Sequence, residues 1–236
     1  HVWGRDGARV VVLAADQAPD MMLVRVGERE GLARDDLEGV TGDDARRAAW
    51  RELAARFGDL PGLVVLDGAE VSIEAAGRIL ERLPGDGPRA IVIDSLQTAK
   101  CDGAAVPGIS RREQIDAAGA ACRAIAVGGA LVVLVSEMGR GAYRNADAAQ
   151  NTTALSSAKE SGSVEYAADL LLGLRSVRGE TDLVDVEVAK NRLGPKEDLR
   201  LRIDFRRASL AETDAPADAP DDRSAQRDAA RVARAE

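Results

Sequence analysis

Three short runs of apolar, largely β-branched residues constrain this chain more than any other feature: residues 8–15 (ARVVVLAA), 89–94 (RAIVID) and 130–135 (ALVVLV). Each is too short for an amphipathic helix, and turn formers such as Gly87-Pro88 and Gly128-Gly129 precede the second and third. Runs of this kind read as strands buried on both faces of a parallel sheet. The carboxyl ends of such strands are where open α/β sheets place their ligands. The central run ends in Asp94, followed by the small or polar Ser95 and Gln97. Two readings of Asp94 stand at this point. It holds the Mg²⁺ of a bound nucleotide through water, as the carboxylate of a Walker B strand does, or it caps the next turn.

Between these runs the pattern changes to helical spacing. Pro19 and Asp20 suit the first turn of a helix, with Met21, Met22, Val24 and Val26 on its apolar face. Residues 27–48 are charged and rich in turn formers, with Thr41 and Asp44 as a weak capping pair. Trp50, Leu53 and Phe57 recur at the spacing of a core-packed helix, which Pro61-Gly62 ends. A short strand is expected over 63–66 and a helix over 73–83. Ser110 and Glu113 form a capping box that opens a helix to about Val127. Two loops stand out: 99–109, and the long polar 139–157, whose length marks it as functional or mobile. A helical turn at 164–168 and a strand at 170–174 follow. The segments around Val184–Val188 and Leu199–Phe205 alternate apolar with charged residues, as strands with one wet face do. Alternating strands and helices followed by a run of strands predict a mostly parallel, helix-covered sheet with antiparallel edge strands.

Composition sets the outer bounds. The 236 residues make one α/β domain plus a tail, and a 45% hydrophobic content with 3% aromatics leaves the core to Val, Leu, Ile and Ala. The net charge of −8 argues against a generally basic nucleic-acid coat, though not against a local basic channel inside an oligomer. His1 is the only histidine, and Cys101 and Cys122 lack metal-ligand spacing, so a zinc site is excluded and a reducing cytoplasm fits. No apolar run approaches the ~18 residues of a membrane span. From Glu212 the chain is Ala, Asp, Pro and Arg, which predicts a disordered or linker tail, and the boundary is placed at 208/209.

Four stretches, in order, carry a resemblance: IVIDSLQ (91–97), LVVLVSEMGR (131–140), KESGSVEYAADLLLGLR (159–175) and AKNRLGP (189–195). Together they resemble the ATPase domain of bacterial hexameric replicative helicases of the DnaB type, from about Ala8 to Phe205. The resemblance implies a three-layer RecA-like P-loop NTPase core over residues 1–208, with ATP and Mg²⁺ as cofactors. It implies that Asp94 is the Walker B carboxylate, holding Mg²⁺ through water. Asp16 falls where the family has a water-activating glutamate, and Ser136-Glu137 where it has the Ser-Gln sensor of the γ-phosphate. Lys190 and Arg192 match a pair that reaches the neighbouring subunit's nucleotide, where an arginine stabilises developing charge. The two loops match those facing single-stranded DNA in the central channel of a homo-oligomeric ring, a hexamer in the family. That offers Arg111 and Arg112 beside the first loop, and Arg140, Tyr143 and Arg144 in the second, as nucleic-acid contacts.

The plain readings stay beside these. Asp16 caps the helix begun by Pro19, Lys190 and Arg192 form a solvated strand end, and Arg140 and Arg144 are surface charge. The sequence also departs from the family. No Gly-x-x-x-x-Gly-Lys-Ser/Thr occurs, and no lysine follows a glycine. Because the chain starts at His1 and enters a strand within ten residues, we read its start as a cut downstream of the family's first strand and P-loop. Such a piece is expected to be poorly stable and to bind no nucleotide alone. Asp16 is one methylene shorter than glutamate, and Glu137 sets an anion where a triphosphate is expected. Glu137 is therefore neutralised by a cation, or it shares the base role with Asp16. The function implied is that of an ATP-driven DNA helicase motor. The alternatives are a RecA/RadA-like recombination ATPase and a non-hydrolysing nucleotide-sensing scaffold.

Overall fold

The computed structural model describes residues 7–58, 62–105, 107–137, 166–177, 179–205 and 209–213. They form eight strands: β1 (Arg9–Ala14), β2 (Leu63–Asp67), β3 (Arg89–Asp94), β4 (Ala130–Leu134), β5 (Leu170–Ser176), β6 (Leu183–Asn191), β7 (Leu199–Asp204) and β8 (Ser209–Glu212). Five helices accompany them: α1 (Pro19–Arg29), α2 (Arg34–Glu38), α3 (Asp43–Gly58), α4 (Ile73–Arg82) and α5 (Arg111–Val127). Two compact units result, the first containing β1–β4 with all five helices, the second containing β5–β7 and most of β8.

The first unit is a parallel sheet in the order β2-β1-β3-β4. Parallel pairing requires crossovers, and helices supply them: α1–α3 between β1 and β2, α4 between β2 and β3, and α5 between β3 and β4. Side chains alternate across the sheet, so Val11, Leu13, Ile91 and Ile93 share one face, each fully buried. Ile73, Ala76 and Leu80 of α4 and Ile115, Ala118 and Cys122 of α5 close over them. Ser72 caps α4 by accepting from the Ala75 N–H at 3.2 Å. The capping box expected at Ser110 and Glu113 is formed, with both reciprocal hydrogen bonds present.

The opposite face is covered unevenly. Ala8, Val10 and Ala90 make a small buried cluster with Val12 and Leu63, while Leu131 and Val133 of β4 and Val135 just beyond it are 50%, 39% and 43% exposed. The expectation that this third run is buried on both faces therefore holds for one face only. The helices α1–α3 pack chiefly on one another, around Val24, Leu37, Ala49 and Leu53. Thr41 is not the residue immediately before α3, which starts at Asp43 after Gly42; its hydroxyl donates to Asp36 Oδ1 at 2.5 Å, on the short helix α2 that the charged sequence had concealed. The Phe57 side chain lies outside the described residues, as does most of the turn expected at 164–168; Tyr166 and Ala167 are helical.

The second unit is an antiparallel sheet in the order β5-β6-β7-β8. Among the described residues its strands form a sheet of their own rather than an edge of the parallel one. Ser209–Glu212 belongs to it as β8, so the segment expected to start a tail is in part a strand, and the Thr213 N–H beyond it donates to the Arg200 carbonyl at 3.1 Å. The charged residues of β6 and β7 are not simply wet. Arg200 is buried and donates from Nε and Nη2 to the two oxygens of Asp185 at 2.6 and 3.1 Å, while Arg175 pairs with Glu187. Burial of a guanidinium is tolerated when a carboxylate meets it in this two-point geometry. No described helix is long and apolar enough to cross a membrane.

Candidate active site at the carboxyl edge of the parallel sheet

Parallel strands bring their carboxyl ends to one edge, and four of the expected residues lie there because β1, β3 and β4 are neighbours. Ala14 of β1 is in register with Asp94 of β3. The N–H groups of Ala15 and Asp16 both donate to the Asp94 carbonyl, at 2.6 and 2.9 Å. On the other side the Val135 N–H donates to the Ile93 carbonyl at 2.9 Å, and the Leu96 N–H to the Val135 carbonyl at 2.8 Å. Asp16, Ser136 and Glu137 are exposed along this edge, and Asp94 is half-buried between them. The peptide bond between Asp94 and Ser95 is cis.

The plain readings of the two aspartates do not match these contacts. Ala18 is the N-cap of α1 and no side chain caps it, so Asp16 does not serve that helix. The turn after β3 is closed by other groups: Ser95 and Thr98 bond through their hydroxyls at 3.1 Å, and the Ala99 N–H donates to the Ser95 carbonyl at 3.0 Å. The Asp94 carboxylate accepts from Gln17 Nε2 at 3.4 Å. Close approach of the residue after β2 completes this corner: a Cβ on Gly68 would stand 2.6 Å from the Ala15 Cβ, so only glycine fits beside the end of β1.

Among the described residues no group of three or more His, Cys, Asp or Glu forms a self-sufficient metal cage. A lone half-buried carboxylate with neighbouring hydroxyls suits Mg²⁺, which keeps waters and shares its coordination with phosphates. Among the described residues no ion pair reaches the Glu137 carboxylate.

The loop that follows is anchored rather than loose. Glu74 of α4 accepts from the Cys101 thiol at 3.0 Å, the Asp102 N–H at 3.0 Å and the Gly103 N–H at 3.4 Å. Burial alone would raise the Glu74 carboxyl, but these hydrogen bonds outweigh it and hold the group below its ordinary range. Burial pushes the Cys101 thiol up to about 11, helped by Glu74, and the Cys122 thiol up to about 12, so both stay protonated and unreactive. Arg111 donates to the Gln97 carbonyl and to Gln114 Oε1, which ties it to the loop, whereas Arg112 beside it is exposed.

In the second unit, Lys190 lies within β6, paired with Leu171, rather than after the strand. Arg192 follows β6 directly, and its guanidinium meets Asp169 Oδ1 at 3.1 Å on an exposed surface. Arg140, Tyr143 and Arg144, together with the Ser161-Gly162-Ser163-Val164-Glu165 motif, lie outside the described residues. The sequence pattern did not single out Gln17, or assign Gln97 a role. Their signal was only a polar amide close behind a strand-terminal aspartate.

Comparison with known proteins is decided by the fold. No family profile and no curated protein matches the chain. Among solved structures, an ATPase domain superposes with a TM-score of 0.71 at 20% identity, covering 89% of this chain and 76% of that one. The fold is that of a DnaB-like helicase ATPase domain. A DnaB-like replicative helicase, solved for its interactions with primase, gives a TM-score of 0.70 at 19% identity over 88% of this chain. This chain spans about half of that helicase, 52% of its length.

Proposed function

We propose that this chain carries the metal-holding and water-activating edge of an ATP-hydrolysing, DnaB-like helicase motor that acts on single-stranded DNA within a homo-oligomeric ring. The observation that carries the proposal is the meeting of Asp16, Asp94 and Ser136-Glu137 at the carboxyl ends of three adjacent parallel strands. The DnaB-like fold supports it from a second direction.

In this reading Asp94 would hold Mg²⁺ through water. The metal, when bound, neutralises phosphate charge and polarises the bond to be broken. Asp16 orients the attacking water and accepts its proton from the neighbouring strand end. Ser136 donates its hydroxyl toward the terminal phosphate. Glu137, with no cation on it among the described residues, is a second proton acceptor rather than a neutral sensor. Arg192 is the residue offered to a neighbouring subunit's nucleotide, with Lys190 in the adjoining strand supporting it. Its pair with Asp169 lies on an exposed surface, where ion pairs contribute at most about 1 kcal/mol. The sequence holds no Walker A glycine-lysine loop, so this reading assigns these 236 residues the metal and water edge of the site and not the cradle for the phosphates.

The exposed anion at Glu137 favours one rival, a nucleotide-sensing scaffold that does not hydrolyse. Strand displacement on a forked duplex by the natural gene product carrying these residues separates the two. The motor reading expects ATP-dependent unwinding by ring-shaped particles in electron micrographs. Nucleotide-dependent assembly without unwinding supports the scaffold, and filaments support a recombination ATPase.

A further inference from the structure

Gln97 stands three residues beyond Asp94, and its side chain crosses from the end of β3 to the end of β4. Its Nε2 donates to Ser136 Oγ at 2.9 Å and to the Glu137 carbonyl at 3.3 Å, while its Oε1 accepts from the Glu137 N–H at 3.1 Å. Its own carbonyl accepts from the Arg111 guanidinium in the first turn of α5. A primary amide both donates and accepts, so one side chain meets both main-chain polar groups of Glu137 and the hydroxyl of Ser136. The strand ladder does not do this. Its last bonds here are those from the Val135 N–H to Ile93 and from the Leu96 N–H to Val135, and both Ser136 and Glu137 are exposed beyond them.

We infer that Gln97 is a positioning residue that sets the course of the main chain through Ser136 and Glu137, and so the direction in which those two side chains leave the sheet edge. The purpose of that positioning rests on the nucleotide-site reading, because Ser136 and Glu137 are the residues offered to the terminal phosphate. The clamp itself does not need nucleotide. It also joins the segment after β3 to the segment after β4 and to the first turn of α5, since Gln97 meets Ser136, Glu137 and Arg111.

Site-resolved amide exchange on the whole chain tests this without any nucleotide, so its failure is distinct from failure of the ATPase reading. In Gln97→Leu the Glu137 amide is expected to exchange about tenfold faster, the loss of one net hydrogen bond, while the Val135 and Leu96 amides keep their rates. Gln97→Glu retains the acceptor for the Glu137 N–H and is expected to restore most of its protection. A role in packing alone would instead accelerate Val135 and Leu96 together with Glu137, without rescue by Gln97→Glu. Either that result or an unchanged Glu137 rate in Gln97→Leu overturns the inference. If Gln97→Leu does not fold, Ser136→Ala reads the same contact from its other side. The side-chain amide resonance of Gln97 must then shift, and an unmoved resonance overturns the inference.

Discussion

The carboxylates of this chain are distinguished by their partners more than by their sequence neighbours. Among the described residues the Asp94 carboxylate accepts one long side-chain bond, from Gln17 at 3.4 Å, while Glu74 accepts three bonds from one loop. The first arrangement leaves lone pairs for water and metal, and the second uses them for structure. Glu74 has a folded pKa depressed below its unfolded value, so its stabilising contribution is present above the unfolded value near ~4.3 and is lost as pH falls through the folded one. Glu74→Gln, which does not titrate, is therefore expected to be less stable than wild type at pH 7. The gap should narrow as the pH is lowered toward 3, as read from urea midpoints at each pH. A gap that widens in acid would refute this account of the loop 101–103 anchor.

Among elements, β4 is the most informative, because its two faces differ. One face packs with the buried cluster under α4 and α5, and the other leaves Leu131 and Val133 half-exposed. Ile91 of β3 is in register with Val132 on the covered face and is fully buried. Ile91→Ala is expected to cost about 3 kcal/mol, within the range for large cavities, whereas Leu131→Ala on the adjacent strand should cost below about 1 kcal/mol. Urea unfolding of the two variants checks this, and equal losses would mean that both faces are packed. Periodicity revealed the existence and direction of these strands, since residues 8–15, 89–94 and 130–135 need no tertiary information to read as strands. It could not reveal the bare face of β4, because burial on the second side depends on what lies over it and not on the strand's own residues. Charge concealed α2 for the same kind of reason. A five-residue helix at Arg34–Glu38 is held by Leu37 packing against Val24 and Leu53, which its acidic neighbours do not signal. Strand alternation marks Arg200 as one of the charged residues of its strand but cannot show that Asp185 lies opposite it, which is what allows its burial.

For the whole molecule, the fold was legible in a way that the site was only in part. Helical crossovers make the strands parallel, but their order, β2-β1-β3-β4, is not the chain order, and it is the adjacency of β1, β3 and β4 that brings Asp16, Asp94, Ser136 and Glu137 to one edge. The polar residues that hold this edge, Gln17 and Gln97, were not legible, because an amide's role depends on which backbone groups stand within its reach. The arrangement as a whole is that of a DnaB-like ATPase fold. In the function proposed above, the carboxyl edge of the parallel sheet is a nucleotide-hydrolysis site in which Asp94 would hold the metal. The most direct test is Mg²⁺-dependent ATP hydrolysis by the natural gene product carrying these residues, with Asp94→Asn compared against wild type at matched thermal stability. The account predicts measurable wild-type turnover and a fall of at least about 100-fold in kcat for Asp94→Asn, the scale expected when metal-assisted charge stabilisation is lost. Wild-type turnover retained in Asp94→Asn would contradict it.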